Sequence, residues 1–271
     1  MPRTVVITGA SSGVGLAAAE QLAALGDQVV VVGRDPRRLG AAMARVRKAA
    51  TGPEPGEFQA DFDVLDDVRR LAAHLLETCP TIDVLANNAG RMVGAYEKTV
   101  DGFEATIQGN HLAPFLLTSL LRERLRGGRV INTASQAHRA GRVDPEDLTG
   151  DQRSYRAGLA YGAGKGANIL FAAEAARRWP DIFSLSFHPG VVRTRFAANT
   201  KVRVFWRFAP FLTTPEKAGA LLVWLATTPE AELQNGAYYV GHQVSSPKNG
   251  FGDPQLAERL WEASEKAVNN Q

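Results

Sequence analysis

What this sequence lacks narrows the field before any motif is read. It has one cysteine, Cys79, in 271 residues, which excludes an intrachain disulfide and leaves a cysteine-based metal site without a ligand set. Cys79 ends a helical pattern just before Pro80, the place of a packing residue. No apolar run approaches the ~20 residues a membrane helix needs. No lysine/arginine block is long enough for a nucleic-acid surface, and the formal net charge is only +3. Repeats, low-complexity tracts and a second composition are all missing, so one domain over residues 1–271 is expected. The chain enters a strand-like run at residues 3–8 almost at once, with no signal peptide, and the expectation is a soluble, cytosolic protein. Charged residues at 22% and apolar residues at 45% suit an ordinary globular domain with a substantial core.

What is present centres on Tyr161-Gly162-Ala163-Gly164-Lys165. A tyrosine four residues before a lysine on a helix shares its face. The ammonium there would favour the phenolate and lower a pKa that starts near ~10. A phenol tuned that way exchanges a proton with an alcohol or alkoxide near neutral pH. Of the tyrosines at 96, 155, 161, 238 and 239, only Tyr161 has a lysine four places on. Such a pair by itself is usually just a solvated helix face, so its weight comes from its surroundings.

Those surroundings alternate strands and helices. Residues 3–8 are a β-branched run typical of a buried parallel strand. Gly9-Ala10-Ser11-Ser12-Gly13-Val14-Gly15 follows and opens a helix. Glycines there let backbone N–H groups approach a pyrophosphate at a helix N-terminus; a plain tight turn is the other reading, since the spacing is not G-x-G-x-x-G. The strand at 28–32 ends in Gly33-Arg34-Asp35-Pro36. An acid at that end would bind a ribose 2′-OH, but Arg34 suits a 2′-phosphate, which favours NADP(H) over NAD. Asp35 reads as the N-cap of the helix opening at Pro36. A third strand at 57–60 leads to Asp61-Phe62-Asp63-Val64, at the sheet end where ligands bind. The strand at 82–86 leads to Asn87-Asn88-Ala89-Gly90, expected to line the same cleft. A long helix at 103–125 carries Asn110, and a strand at 129–134 ends at Ser135. Residues 136–159 form a polar loop too long for a mere connector. The strand at 182–187 ends in His188-Pro189-Gly190-Val191-Val192-Arg193-Thr194.

Taken in order, Thr8-Gly-x-x-x-Gly13-x-Gly15, Asn87-Asn-Ala-Gly90, Asn110, Ser135, Tyr161-x-x-x-Lys165 and Pro189-Gly190 resemble the short-chain dehydrogenase/reductase family over the whole chain. The stretches Asn110-His-Leu-x-x-Phe-Leu-Leu-Thr118, Ala137-His138, Asp147-Leu148, Lys165-x-Ala-Asn168-x-Leu-Phe171 and His188-Pro-Gly-Val-Val-Arg193 are similar to its retinol dehydrogenase branch, related to the light-dependent protochlorophyllide reductases. The resemblance implies an α/β Rossmann-type doubly wound domain with a parallel sheet of about seven strands and helices on both faces. It implies a cofactor-binding part at about 1–194, a substrate lid at about 195–213 and C-terminal helices with a last strand at 214–271. Tyr161 would be the general acid/base, Lys165 would lower its pKa and hold the nicotinamide ribose, Ser135 would donate to the substrate carbonyl, and Asn110 would support the proton relay. Gly9, Ser11, Ser12, Gly13, Val14, Gly15, Arg34, Asn87, Ala89, Gly90, Pro189, Gly190 and Val192 would contact the cofactor, with Asp63 and Val64 at the adenine and Thr194 near the carboxamide or pyrophosphate. No metal is implied. Gly164 departs from the family, which commonly has serine there. The hydrophobic N-terminal anchor of the membrane-bound retinol dehydrogenases has no counterpart, so retinol does not carry over as the substrate.

Residues 196–212 interleave Phe, Trp and Val with Lys201, Arg203 and Arg207. The expectation is a wall over a bulky, apolar, ring-containing carbonyl or alcohol; an amphipathic membrane-surface segment is the rival. Function is therefore expected to be NADPH-dependent carbonyl reduction or the reverse oxidation, against the alternative of a catalytically silent NADP(H)-binding regulator. The resemblance also suggests a homodimer pairing the helices at 103–125 and 160–178 across a two-fold axis. Leu112, Phe115, Leu116, Ala167, Leu170 and Phe171 offer apolar surface for it, with Arg122, Arg126, Arg177 and Arg178 opposing.

Overall fold

The computed structural model describes residues 2–151, 154–192 and 212–269. Short valine- and isoleucine-rich segments become the central strands because both faces of a parallel sheet are covered by helices. The order of elements is β1 (Thr4–Thr8), α1 (Gly13–Ala24), β2 (Gln28–Gly33), α2 (Pro36–Ala49), β3 (Gly56–Gln59), α3 (Leu65–Thr78) and β4 (Val84–Asn87). A helical rod follows, built of α4 (Ala105–Ile107), a π-helical turn (Gln108–Leu112) and α5 (Ala113–Leu120). Then come β5 (Arg129–Thr133), α6 (Ala157–Arg178), β6 (Phe183–His188), α7 (Pro215–Thr227), β7 (Tyr238–Val240), β8 (Gln243–Val244) and α8 (Pro254–Asn269).

The sheet runs β3-β2-β1-β4-β5-β6-β7-β8. Seven strands are parallel, as expected, and the eighth is a two-residue antiparallel addition to β7 that the sequence reading did not include. Strand alternation divides the core. Val6, Val30, Val32, Leu85 and Val130 face the layer of α3, α5, α6 and α8. Val5, Ile7, Val29, Val31, Val84, Ile131 and Leu185 face α1, α2 and α7. Asp35 caps α2, its Oδ1 accepting from the N–H groups of Arg37 and Arg38 at 3.0 Å each.

The strand order reverses between β1 and β4, which opens a cleft at their C-terminal ends. The helix expected over 103–125 is not one helix. Its π-turn holds Asn110, and a 3-10 turn, Arg122–Leu125, ends it. The apolar surface expected to meet a second copy is covered within the chain: Trp261 of α8 packs edge-on to Phe115 at 5.0 Å between ring centroids and against Phe171 at 5.8 Å. No helix among the described residues is long and apolar enough to cross a membrane.

Candidate active site

The cleft is built from close approaches that side chains would block. A Cβ on Gly9 would lie 2.7 Å from Ala89 Cα, one on Gly15 2.5 Å from Asn88 Nδ2, and one on Gly33 2.9 Å from Ser11 Cβ. Gly9 and Gly13 have φ of +66° and +60°, a left-handed backbone that glycine adopts without strain. These turns bring the ends of β1, β2 and β4 together beneath the N-terminus of α1. Ser12 precedes α1 in an extended conformation without a side-chain cap bond, so the first-turn amides are not met by it.

Asn88 stitches the floor. Its Nδ2 donates to the Thr8 carbonyl at 2.9 Å, and the N–H groups of Asn88 and Ala89 both donate to Thr8 Oγ1 at 3.0 Å. Asn87, expected to line the cleft, instead lies fully buried. Its Nδ2 donates to Thr118 Oγ1 and to Asn132 Oδ1, each at 3.0 Å, tying β4 to α5 and β5. The parity of the strand turns Asn87 inward and leaves Asn88, the second of the two asparagines expected at the cleft, on the cleft side.

At the adenosine end, Arg34 is exposed at the close of β2 and turned onto two carboxylates, 3.2 Å from Asp63 and 3.6 Å from Asp61. Arg91 approaches Asp63 at 2.8 Å. Burial raises the Asp63 pKa to about 6, opposed by Arg91 and reinforced by Asp61. Val64 is the N-cap residue of α3. At the far side, Gly190 has φ +87°, and a Cβ there would reach within 2.5 Å of Thr213 Oγ1. Val192 bridges to Thr213, whose N–H donates to the Val191 carbonyl at 2.8 Å, with Pro189 leading in from β6. Thr194 and residues 196–211 of the expected lid lie outside the described residues.

The catalytic candidates converge along α6, where every second residue from 162 to 166 is glycine. Gly162 faces the Ala137 carbonyl, Gly164 faces Asn110 Cβ, and Gly166 faces the ring of Phe251. The helix thus admits the turn after β5, the π-turn and the C-terminal segment at three successive levels. Asn110 is fixed there by its Nδ2 donating to the Thr106 and Arg91 carbonyls at 2.7 Å each, and by Oδ1 accepting from Arg91 N–H at 3.2 Å. A Cβ on Gly90 would sit 2.5 Å from Asn110 Oδ1 and 2.7 Å from Lys165 Nζ, so both polar groups reach one point at the cleft wall. Ser135 Oγ accepts from Ala137 N–H at 3.1 Å and is hydrogen-bonded to Tyr161.

The electrostatics correct one expectation. Lys165 Nζ lies 5.8 Å from the centroid of the Tyr161 ring and donates to the Thr133 carbonyl at 3.0 Å. Burial draws the Lys165 pKa down to about 7 and pushes that of Tyr161 above its ordinary range, Ser135 opposing the latter. Burial thus works against the charged form of each group in the protein alone, opposite to the expected lowering of the tyrosine pKa by the lysine. Asn168, one turn beyond Lys165, shares the Thr133 carbonyl at 3.2 Å.

Comparison with known proteins agrees with this geometry. The profile of the short chain dehydrogenase family matches residues 3–203. The chain is 52% identical over 268 residues to a candidate daunorubicin C-13 ketoreductase, DnrU, of Streptomyces sp. (strain C5), covering 99% of this chain and 93% of that one. It is 33% identical over 282 residues to human retinol dehydrogenase 13, covering 98% and 84% respectively. Among solved structures, the angucycline C-6 ketoreductase LanV with bound NADP is 25% identical, with a TM-score of 0.71 over 88% of this chain and 93% of that one. A profile match over most of the length, the doubly wound sheet and the residues gathered along α6 lead to one conclusion: the chain belongs to the short-chain dehydrogenase/reductase family.

Proposed function

We propose that the protein is an NADP(H)-dependent carbonyl reductase acting on a bulky, apolar, ring-containing ketone or aldehyde, and on the corresponding alcohol in reverse. The residues present suit the dinucleotide: a methyl group on Gly9, Gly15 or Gly90 would meet protein atoms at 2.5–2.7 Å, so only glycine lets these turns close on one another, and the first-turn amides of α1 are left without a side-chain cap. Gly9, Ser11, Ser12, Gly13, Val14 and Gly15 would hold the pyrophosphate. Arg34 would exchange its carboxylate partners for the 2′-phosphate. Asp63 and Val64 would border the adenine. Ala89, Gly90, Pro189, Gly190 and Val192 would border the nicotinamide half, with Lys165 at its ribose. Bound there, the cofactor supplies the hydride.

The chain's own part is proton handling and orientation. Ser135, with one lone pair held by Ala137 N–H and its hydroxyl against Tyr161, would turn its proton to a carbonyl oxygen as charge develops on it. The observation that carries the reading is the hydrogen bond between Tyr161 and Ser135, which sets a proton donor beside the group that would hold the carbonyl. A phenol that stays protonated at neutral pH is an acid ready to protonate an alkoxide, the last step of carbonyl reduction. Asn110 holds the π-turn against α6 and, with Lys165, would support delivery of the replacement proton. The names of the candidate daunorubicin ketoreductase and of LanV support a polycyclic carbonyl substrate, and retinol dehydrogenase 13 supports the reverse oxidation of an alcohol.

The test is NADPH oxidation followed by absorbance over a panel of polycyclic, monocyclic and aliphatic ketones. Turnover on ring-containing ketones, faster with NADPH than with NADH, is expected. Cofactor binding without turnover on any carbonyl would point instead to a regulatory NADP(H)-binding protein.

A further inference from the structure

Ser135 is held from behind by a residue the proposed reaction does not use. His138 lies on the 3-10 turn Gln136–Arg139 and is buried. Its Nε2 accepts a hydrogen bond from the Lys248 N–H at 3.1 Å. An accepting Nε2 leaves the ring proton on Nδ1, which therefore donates to the Ser135 carbonyl at 2.7 Å. The same carbonyl also accepts from the His138 backbone N–H at 3.1 Å. The ring is held edge-to-face between Tyr238 at 5.3 Å and Phe251 at 6.0 Å between centroids.

Lys248 belongs to the segment joining β8 to α8, and that segment grips the same layer twice more. Asn249 has φ +60°, the only non-glycine residue at positive φ among the described residues, and its Nδ2 donates to the Gly141 carbonyl. Phe251 is fully buried against Gly166, in the space a Cβ there would claim. The turn after β5 and the segment 245–251, about a hundred residues apart, are thus joined through one imidazole and flanked by two further anchors.

We propose that His138 is a positioning residue that couples the segment 245–251 to Ser135. By fixing the Ser135 carbonyl it keeps the turn 135–141 closed, and that closure sets where the Ser135 hydroxyl points. The C-terminal segment thereby becomes part of the apparatus that aims the carbonyl donor. The effect on turnover rests on the reductase reading; the coupling itself does not.

Two variants test it: His138→Ala, which removes the bridge, and Asn249→Gly, which keeps the left-handed backbone available but deletes a flanking anchor. Amide hydrogen exchange of residues 135–141 and 245–251, NADPH dissociation constants, and kcat and KM for a ketone substrate are measured on each full-length protein. His138→Ala should speed exchange in both segments together, roughly tenfold or more, and lower kcat about 10- to 100-fold while NADPH affinity stays within about twofold. Asn249→Gly should give the same pattern at smaller amplitude, and serves if His138→Ala does not fold. Loosening confined to 245–251 overturns the coupling, as does unchanged exchange in both. Parallel losses of kcat, NADPH affinity and melting temperature would mean that His138 is merely structural. A wild-type protein without NADPH-dependent turnover removes the reductase reading, and the exchange data then decide the coupling alone.

Discussion

At the scale of single residues, Tyr161 carries the sharpest expectation. Tyr161→Phe removes one hydroxyl and no packing volume, so NADPH should bind as before while the rate falls about 10²–10⁴-fold, the usual worth of general acid catalysis. Single-turnover rates and a fluorescence titration check the two halves separately. Arg34 is the proposed contact of the 2′-phosphate: Arg34→Ala should weaken NADPH roughly ten- to hundredfold and leave NADH nearly unchanged. Equal losses, measured by titration calorimetry, would remove it from the phosphate site. Buried imidazoles dominate the response to acid, opposed by Asp63, whose raised pKa lets the folded chain take up its proton first. Burial lowers the pKa of His111 and of His188 to about 4 each. The unfolded chain takes up these protons near pH 6.5 and the folded chain does not, so stability falls as pH drops from about 6.5 towards 4. Thermal melts across that window should show it. His111→Gln should reduce the slope by at most one proton, or about 1.36 kcal/mol per pH unit.

Residue identities were legible wherever the chemistry is local. The tyrosine–lysine spacing put both residues on α6, and the Asp35 cap could be read directly from Asp-Pro. Desolvation was not legible, because it depends on what covers the helix; the pair reads as a tuned phenolate in sequence, while in the fold burial works against the charge on both groups. Asn87 was misplaced for a similar reason. Two adjacent asparagines at a strand end differ only in parity, and parity is fixed by the pairing register with β5, not by composition.

Among the elements, α6 shows how a sequence that looks helix-poor can be helix-specific. Gly162 is pressed by the turn after β5: a Cβ there would come to 2.5 Å from the Ala137 carbonyl and 3.0 Å from Gly141 Cα. Gly158, in the first turn of the same helix, has nothing within 4 Å of that position. Gly162→Ala should therefore cost about 1–3 kcal/mol and separate Ser135 from Tyr161. Gly158→Ala should gain up to about 0.5–1 kcal/mol. Differential scanning calorimetry of the pair would invert the order if helix propensity, and not neighbour contact, governed these sites. The break of the 103–125 helix at the π-turn escaped the sequence because its apolar residues continue without interruption; the extra residue per turn is accommodated by tertiary packing of Asn110 and His111.

For the molecule as a whole, α8 decides what the outer face of α5 and α6 can do. Leu260 and Trp261 are buried there, and Trp261 adds an edge-on contact with Trp179 at 4.8 Å. Arg178 lies over Trp261 at 5.2 Å and pairs with Glu174, so the arginines expected to repel a partner are engaged at home. Light scattering at micromolar concentration should give the mass of one chain, unchanged by NADPH. Removing residues 254–271 should bare an apolar face and produce association or precipitation.

The stitching of segment 245–251 behind Ser135 has a consequence in time. Protein synthesis delivers β1 to β5 and Ser135 from the ribosome long before Lys248 and Phe251 emerge, and the partner of β6 on its outer side, β7, is also late. A nascent chain can gather most of the glycine-lined cleft while still tethered, but the serine's turn cannot be fastened until Lys248 and Asn249 have emerged. Reductive competence would then wait for residues 245–251 to emerge, and a ribosome stalled short of residue 248 would hold a cofactor cradle with no finished catalytic centre.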